Sequence, residues 1–177
     1  MSKTDFTITG AGGLSIVDDG GSKRCKLTYT KLMLWNGNPA LGDCECVVEV
    51  QNSASNSNSG GGILLRSNST ALTCYRLLIY GGSTGKAYYI QKIINGITTT
   101  LGSFISTRPY NDYTKIRFRI DVFQLSCEEY INGNWTMAFM VEDTSHAIVS
   151  GSVGLFGESA SSGYSISFDN LEINIKA

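Results

Sequence analysis

Alternation of apolar and polar residues with a period of two runs through this chain and is clearest between residues 113 and 122. The apolar members are Ile116, Phe118, Ile120 and Val122, and between them stand Lys115, Arg117, Arg119 and Asp121. Successive side chains of a β-strand point to opposite faces, so this pattern predicts a strand with one face in a core and the other in water. Because no segment shows convincing helical periodicity, we predict an all-β protein with little or no helix.

A second segment, residues 43–51, repeats this pattern. Its apolar face holds Cys44, Cys46, Val48 and Val50, and its polar face holds Asp43, Glu45, Glu49 and Gln51, with Val47 as the interruption. The polar face of 43–51 is acidic and that of 113–122 is mostly basic, and opposite charges stabilise neighbouring strands. We therefore predict that the two strands share a sheet and that Glu45 and Glu49 pair with the basic residues of 115–119.

Turn signals divide the chain into short strands. Asn95-Gly96 and Asn132-Gly133-Asn134 each separate two strand-like segments, and both contain residues that tolerate the positive φ of tight hairpins. Polar Gly/Ser-rich segments at 51–62, 81–86 and 158–163 are predicted surface loops. Roughly a dozen strands joined in this way predict two packed antiparallel sheets in a single domain of residues 1–177. After the second hairpin turn, four side chains are predicted to face the core together: Trp135, Met137, Phe139 and Val141.

The last strand changes its apolar face part-way. Ile166 and Phe168 share one parity, whereas Leu171, Ile173 and Ile175 share the other. One extra residue would return both sets to the core, so we predict a β-bulge at residues 169–170, which are Asp and Asn.

Composition excludes several classes of partner. The chain has 14 Lys and Arg against 15 Asp and Glu, a net charge of -1, which leaves no basic footprint for nucleic acid or an anionic membrane. The longest apolar runs are far shorter than the roughly 20 residues of a membrane-spanning helix. The first residues, MSKTDFTITG, lack the apolar stretch of a signal peptide, so we expect synthesis in the cytoplasm.

The cysteine and histidine residues of the sequence form no recognisable disulfide or metal-binding motif. The cysteines number five and show no Cys-x-x-Cys spacing, which predicts free thiols, and no motif requires a cofactor. His146, next to Ser145 and close to Asp143, matches no nucleophile motif and is interpreted as a surface-loop residue. Carboxylates in or near loops leave a structural Ca²⁺ open. They are Asp18, Asp19, Asp112, Asp143 and Asp169.

Seven short segments follow one another in a recognisable order. They are GGGILLR (60–66), YRLLIY (75–80), YYIQK (88–92), YTKIRFRID (113–121), NGNW (132–135), GSVGLFG (151–157) and FDNLEI (168–173). Together, across about residues 45–175, they resemble concanavalin A-like jelly rolls, in the style of laminin-G-like and laminarinase-like modules. The resemblance implies a sandwich of two curved sheets, often with a glycan groove on the concave face. Lectins, glycosidases, adhesion modules and virion proteins share that fold.

The same resemblance implies one catalytic alternative, a glycosidase. Laminarinase-type glucanases carry two catalytic glutamates on one strand with an aspartate between them, and Glu45 and Glu49 match that spacing. Val47 stands where the aspartate would be, and no tryptophan neighbours the motif to stack a sugar. We therefore expect a noncatalytic protein and interpret the two glutamates as a solvated strand face.

Aromatic residues are the better indicators of a binding surface. In YRLLIY, Tyr75 and Tyr80 fall on opposite faces, and Tyr88 alternates with Tyr89, so one tyrosine of each pair is predicted on the outer sheet surface. Four residues are predicted contacts for a glycan or partner, with packing inside the sandwich as the alternative for each. They are Tyr80, Tyr88, Arg66 and Trp35, whereas Trp135 is assigned to the core.

The preferred function from sequence is a noncatalytic, lectin-like binding or assembly module. The low charged fraction and the abundance of Ser, Thr, Asn and Gly are typical of bacteriophage virion proteins, as a head decoration or as a tail or receptor-binding component. That interpretation implies an oligomeric or capsid-bound protein with other subunits, and surface polysaccharide, as its partners. The alternatives are a free-standing carbohydrate-binding module and a small glycosidase that uses Glu45 and Glu49.

Overall fold

The structure is a computed structural model that describes residues 6–10, 13–19, 22–28, 31–37, 40–53, 59–82, 84–159 and 165–175. These residues form fourteen β-strands and no helix, and so no helix that could span a membrane is found among them. The strands are β1 (Phe6–Thr9), β2 (Gly13–Asp19), β3 (Ser22–Thr28), β4 (Lys31–Trp35), β5 (Cys44–Asn52), β6 (Ser59–Ser67), β7 (Cys74–Gly81), β8 (Lys86–Ile94), β9 (Ile97–Ile105), β10 (Thr114–Asp121), β11 (Gln124–Ile131), β12 (Asn134–Glu142), β13 (Ser152–Ser159) and β14 (Ser165–Ile175).

The described strands form two antiparallel sheets of seven. The first sheet has the order β1-β4-β13-β6-β7-β8-β9, and the second has the order β12-β11-β10-β5-β14-β3-β2. The two sheets pack face to face, so the predicted all-β, two-sheet antiparallel sandwich is confirmed. Strand β13, late in the chain, lies between β4 and β6, and β14 lies between β5 and β3.

The hydrophobic core lies between the sheets and follows the predicted alternation, except at Val122, which follows the end of β10 with a φ of 56° and is 61% exposed, so its assignment to the core is wrong. Buried side chains of the first sheet include Ile63, Leu65, Leu77 and Ile79, and those of the second include Cys46, Val48, Ile116 and Phe118. All five cysteines are free thiols, as predicted. Burial raises the pKa of Cys25 and of Cys44 to about 11, which keeps both thiols protonated and unreactive at neutral pH.

Strands β5 and β10 are neighbours, which confirms that residues 43–51 and 113–122 share a sheet. Their register places Glu49 opposite Lys115, Val47 opposite Arg117 and Glu45 opposite Arg119. The basic residues of β10 nevertheless form ion pairs with other carboxylates. These pairs are Lys115–Glu172, Arg117–Glu128 and Arg119–Asp121. The predicted pairing of strands is therefore right, but the predicted ladder to Glu45 and Glu49 is wrong.

Both predicted hairpins are present. Asn95 and Gly96 have φ values of 52° and 81°, and Asn132 and Gly133 have values of 50° and 86°. Positive φ at both central residues is the backbone of a type I′ turn, whose twist matches that of the flanking strands. These turns join β8 to β9 and β11 to β12.

Two of the four residues predicted to face the core after the second hairpin, Trp135 and Met137, face outward instead. The β11–β12 register shifts between Cys127 and Glu128, which leaves Ala138 as an extra residue on β12. Phe139 and Val141 pack against the core as expected. Trp135 and Met137 precede the shift and therefore lie opposite Tyr130 and Glu128 on the outer face, so their assignment to the core is wrong.

The predicted surface loops are shorter than expected. Strand β5 extends to Asn52 and β6 begins at Ser59, so the segment 51–62 contributes residues to two strands, and residues 54–58 lie outside the described residues. Strand β8 begins at Lys86, which is buried. Of the third loop, 158–159 belong to β13 and 160–163 lie outside the described residues.

The predicted β-bulge in the last strand is confirmed. The register between β14 and β5 shifts between Asp169 and Glu172, and Asn170 has a φ of 50°. Phe168 before the shift is buried, and Leu171 and Ile173 after it pack against the core. The extra residue thus returns most of the later apolar set to the inner face, although Ile175 remains exposed.

Candidate functional site

The outer face of the first sheet is apolar, although it points away from the core. A second hydrophobic cluster lies there, separate from the main core between the sheets. It consists of Leu34, Leu64, Cys74, Leu78, Ile93 and Phe156. Outer faces of antiparallel sheets are ordinarily polar because water covers them. The members of this cluster are at most 8% exposed, because Leu32, Ala71, Tyr80 and Tyr89 pack against them, so they form a second, small core beneath this face.

Strand register sets the arrangement of this face. One row across the sheet contains Leu32, Phe156, Gly62, Leu78 and Tyr89. A second row contains Leu34, Gly154, Leu64, Arg76 and Gln91. A third row contains Glu158, Gly60, Tyr80 and Ala87. Charged and aromatic side chains therefore stand next to glycines of β6, and the Tyr80 ring covers Gly60.

A cleft of about 490 Å³ opens on this face. Leu32, Leu64, Ile93 and Phe156 contribute apolar lining, and Phe156 is only 7% exposed. Polar groups at the cleft come from Lys31, Thr70, Arg76 and Glu158. A mostly apolar concavity with a few fixed polar groups is the usual form of a small-molecule site.

Arg76 is the most constrained polar residue of the cleft. Its Nε donates to Oε1 of Gln91 at 2.6 Å, and its Nη1 donates to Oε2 of Glu158 at 3.0 Å. The guanidinium carbon lies 5.4 Å from the ring centroid of Phe156, a cation–π contact. Gln91 is held in turn, because its Nε2 donates to Oγ1 of Thr100 at 3.2 Å. The guanidinium is therefore oriented before any ligand arrives.

Tyr80 borders the cleft on the side of Glu158. Its hydroxyl makes a long contact of 3.4 Å with Oε1 of Glu158, and its ring meets that of Tyr89 edge to face at 6.1 Å. Burial, followed by the charge of Glu158, raises the pKa of Tyr80 above its usual value. Tyr80 therefore stays a neutral hydrogen-bonding group at physiological pH.

The outer face of the second sheet carries a different set of aromatic residues. Tyr130 and Trp135 contact edge to face at 5.2 Å, and the guanidinium of Arg117 lies 4.5 Å from the Trp135 ring centroid. Arg117 also pairs with Glu128. Tyr130 and Met137 are 42% and 51% exposed, so this surface is open rather than cleft-like.

Glu45 and Glu49 lie on this second outer face, because the alternate residues of β5 point into the core. Oε1 of Glu45 accepts a hydrogen bond from Nδ2 of Asn174 at 3.0 Å. Four residues along a strand separate their Cα atoms by about 13 Å. A retaining glycosidase needs its two carboxyl groups about 5–5.5 Å apart. The side chains would have to converge strongly for that chemistry.

No known family model matches this sequence, and no curated protein sequence is significantly similar to it. Solved structures share its fold. A carbohydrate-binding module, CBM66, from Bacillus subtilis is 13% identical with a TM-score of 0.73, over 96% of this chain and 95% of that one. A GH16 protein of the mixed-linkage glucan locus of Bacteroides ovatus, in complex with a G4G4G3G product, is 10% identical with a TM-score of 0.72, over 98% and 96%. A legume lectin-like domain from Entamoeba histolytica is 11% identical with a TM-score of 0.66, over 98% and 91%.

These likenesses show the fold, a lectin-like sandwich common to binding modules and glycoside hydrolases. They support the concanavalin A-like resemblance read from the order of short segments. Residue roles do not transfer at such low identity, so the site has to be judged from this chain's own geometry.

The four sequence-predicted contact residues are placed in different parts of the fold. Tyr80 lies on the outer face beside the cleft, as expected. Tyr88 is 0% exposed and donates its hydroxyl to Oε1 of Glu129 at 2.6 Å inside the sandwich, so its placement on the surface is wrong. Tyr89 is the outward member of that pair. Alternation required one outward tyrosine, but it did not tell which.

Arg66 is 3% exposed and serves the interior, so it is not a surface contact in this structure. Its Nε donates to the carbonyl of Gly42 at 3.0 Å, its Nη1 donates to that of Ile148 at 2.8 Å, and its Nη2 pairs with Asp43 at 3.0 Å. A φ of 50° at Arg66 and an extra residue on β6 in its pairing with β13 explain the change of direction. Arg66 therefore fastens loops at one end of the sandwich.

Trp35 ends β4 and packs, partly buried, against the main core. Its ring occupies the space above Gly37, where a Cβ would come within 2.1 Å of it. Trp35 is absent from the described lining of the cleft. Its role as a glycan contact therefore stays a prediction without a neighbouring site.

Among the carboxylates considered for calcium, the described ones do not form a metal site. Among the described residues no group of three or more potential ligands could hold a metal ion, and the side chains of Asp18 and Asp19 lie outside that description. Both carboxylate oxygens of Asp143 already accept hydrogen bonds, because Tyr75 donates to its Oδ2 at 2.6 Å and Lys92 to its Oδ1 at 2.7 Å. Burial opposes its ionisation, but these bonds outweigh burial and lower the pKa of Asp143 to about 2.

His146 lies in an exposed position, as the sequence predicted, and its ring stacks on that of Phe123 at 4.1 Å. Ser145 donates its hydroxyl to Oδ1 of Asp143 at 2.7 Å and accepts from Nζ of Lys92. The serine thus belongs to an ion-pair network and the histidine to an aromatic stack.

Sequence reasoning missed Arg76, Glu158, Phe156 and Tyr89. One signal was available, because segments 60–66 and 75–80 are apolar at both parities. A strand that is apolar on both faces is covered on both faces, which points to something beyond the core on the outer side.

Proposed function

We propose that this protein is a noncatalytic carbohydrate-binding sandwich whose binding site is the cleft on the outer face of the first sheet. One observation carries the proposal. The guanidinium of Arg76 is fixed between Gln91 and Glu158 above the ring of Phe156. Oriented hydrogen-bonding groups thus stand directly above an apolar, aromatic floor.

Sugars present the complementary chemistry. A pyranose has apolar C–H faces, which suit the apolar lining of the cleft, and a rim of hydroxyl groups, which suit Arg76 and Glu158. The charge of Arg76 is compensated by Glu158 at 3.0 Å. At Arg76 this compensation favours a neutral hydroxyl group over an anion, since an anion there would break a formed ion pair. Lys31, whose Nζ donates to the carbonyl of Gly10 at 3.0 Å, is the other cation of the lining.

The noncatalytic part of the proposal rests on the carboxylates. Glycoside hydrolysis ordinarily requires two carboxyl groups on either side of the scissile bond. Glu158 is the single carboxylate among the described residues that line the cleft. Glu45 and Glu49 lie on the opposite outer face, and Glu45 is hydrogen-bonded to Asn174. The glycosidase alternative is therefore less well supported than binding.

The virion location inferred from composition stays a prediction of the sequence. It is compatible with sugar binding, because a receptor-binding component also contacts surface polysaccharide. Its own test is the oligomeric state of the purified chain and its presence in particles.

Binding measurements test the proposed site. We would screen the protein against a panel that includes xylan, xyloglucan and mixed-linkage glucan, and measure affinity for the retained polysaccharides by calorimetry. Arg76→Ala should weaken binding about tenfold or more, because it removes a charged hydrogen-bonding group from the site. Incubation with the same polysaccharides should release no shorter products.

Arg117→Ala is the matched control. Arg117 also pairs with a glutamate and also lies over an aromatic ring, but on the other sheet. The control should bind as the wild type does, with thermal unfolding used to verify that both variants are folded. Equal binding by Arg76→Ala, or a selective loss in Arg117→Ala, would overturn the proposed site.

A further inference from the structure

The cleft continues into a second aromatic surface on the same face. Glu158 connects the two, because its Oε2 pairs with Arg76 inside the cleft and its Oε1 contacts the hydroxyl of Tyr80 beyond it. Glu158, Gly60 and Tyr80 stand in one row of the sheet, on β13, β6 and β7. A ligand in the cleft therefore has a continuous surface to follow.

Gly60 lets the Tyr80 ring lie close against the sheet. A Cβ at residue 60 would come within 2.3 Å of the ring, a distance that real side chains do not reach. The ring therefore lies directly on the backbone of β6. An aromatic ring seated in this way is held at little further entropic cost on binding.

Tyr89 completes this surface. It meets Tyr80 edge to face at 6.1 Å and contributes, partly buried, to the outer hydrophobic cluster. The side chains of Arg76 and Tyr80 both reach the carboxylate of Glu158, whereas Tyr89 is on β8, on the opposite side of β7 from Glu158. A sugar held at Arg76 and Glu158 therefore leaves the rings of Tyr80 and Tyr89 for the next unit of a chain.

We infer that the site binds a linear neutral oligosaccharide, with one sugar unit in the cleft at Arg76 and Phe156 and a further unit of the same chain stacked at Tyr80 and Tyr89. This inference rests on the proposed function and specifies its ligand as a chain rather than a single terminal sugar. Glu158 lies between the two subsites and contacts both.

Affinity as a function of chain length tests the inference. We would titrate the protein with cello-, xylo- and laminari-oligosaccharides from the mono- to the hexasaccharide. For the series that binds, affinity should rise by about tenfold when the chain becomes long enough to reach the tyrosines. Tyr89→Ala should flatten this rise. Tyr130→Ala, which removes a tyrosine from an edge-to-face pair on the other sheet, should leave it intact.

The outcomes separate the inference from the proposed function. A monosaccharide that binds as tightly as its hexasaccharide, with binding still lost in Arg76→Ala, overturns the extended site and retains the proposed function. A rise with chain length that persists in Tyr89→Ala also overturns the extended site. If none of the three series binds although a polysaccharide of the panel is retained, the extended site fails and the proposed function is kept. If no glycan binds, both claims fail.

Discussion

Arg76 on β7 and Glu158 on β13 form an ion pair across the intervening strand β6, with 3.0 Å between Nη1 and Oε2. The pair can span that strand because residues 60 and 62 of β6 are glycines, so no side chain rises between the two partners. The polar centre of the cleft thus depends on small residues in a strand that contributes no charge to it.

Gly60→Ala tests that dependence. The new Cβ would lie 2.3 Å from the Tyr80 ring, so the tyrosine must move away from the sheet. We expect a loss of about 1–3 kcal/mol in the free energy of unfolding, together with weaker binding of long oligosaccharides. Chemical denaturation and calorimetry measure the two effects. Gly42→Ala is the control, since its Cβ meets only the Val149 carbonyl at 4.0 Å. Equal results for the two variants would contradict this description of the sheet surface.

Asp143→Asn should destabilise the fold by about 1–3 kcal/mol at neutral pH, because Lys92 and Tyr75 lose a charged acceptor. The pKa of Asp143 is lowered to about 2 in the folded state. Its stabilisation is therefore present above the ordinary aspartate pKa of about 4 and is lost as pH falls toward 2. Unfolding curves of wild type and variant should converge across that interval. A difference for Asp143→Asn that persists at pH 2 would count against the network.

Buried thiols should make the fold sensitive to alkali. Burial raises the pKa of Cys74 to about 12 and that of Cys46 still further. Above a pH of about 9 the unfolded chain loses thiol protons that the folded chain keeps, so stability falls as pH rises. Each such thiol contributes a slope of about 1.4 kcal/mol per pH unit. Cys46→Val should reduce the slope by one such contribution in denaturation experiments between pH 9 and 11, and an unchanged slope would show that Cys46 does not titrate in this way.

Glu45→Gln tests the glycosidase alternative. Glu45 lies on the outer face of the second sheet, where Asn174 donates to it. We expect the substitution to leave glycan binding unchanged and stability within about 0.5 kcal/mol, because an amide oxygen can accept the same bond at a solvated position. Reducing-end assays on glucans should detect no turnover in the wild type. Turnover in the wild type that disappears in Glu45→Gln would establish catalysis at β5.

Local pattern was sufficient for much of the fold. Alternation at 116–122 and at 44–50 identified two neighbouring strands, and Asn-Gly pairs identified both hairpins. The parity change after Phe168 located the bulge of β14, because its residues 166–175 carry a strong apolar pattern on both sides of the shift.

Other features depended on contacts that local pattern does not encode. The bulge at Ala138 places Trp135 on the outer face. The positive φ of Arg66 turns its own side chain inward. Arg76 and Glu158 are 82 positions apart, and they meet only because β13 enters the first sheet next to β6. Parity predicted one outward tyrosine at 88–89, but both faces of β8 are covered, so hydrophobicity could not choose between them.

Mapping the bound sugar onto the two outer faces tests the central claim most directly. Backbone amide chemical shifts would be followed by NMR during titration with the tightest-binding oligosaccharide of the chain-length series. The proposed site predicts that the largest changes lie at residues 76, 91, 156 and 158, with small changes across β10 to β12. Changes centred on Glu45 and Glu49, or on Tyr130 and Trp135, would place the ligand on the second sheet and contradict this account.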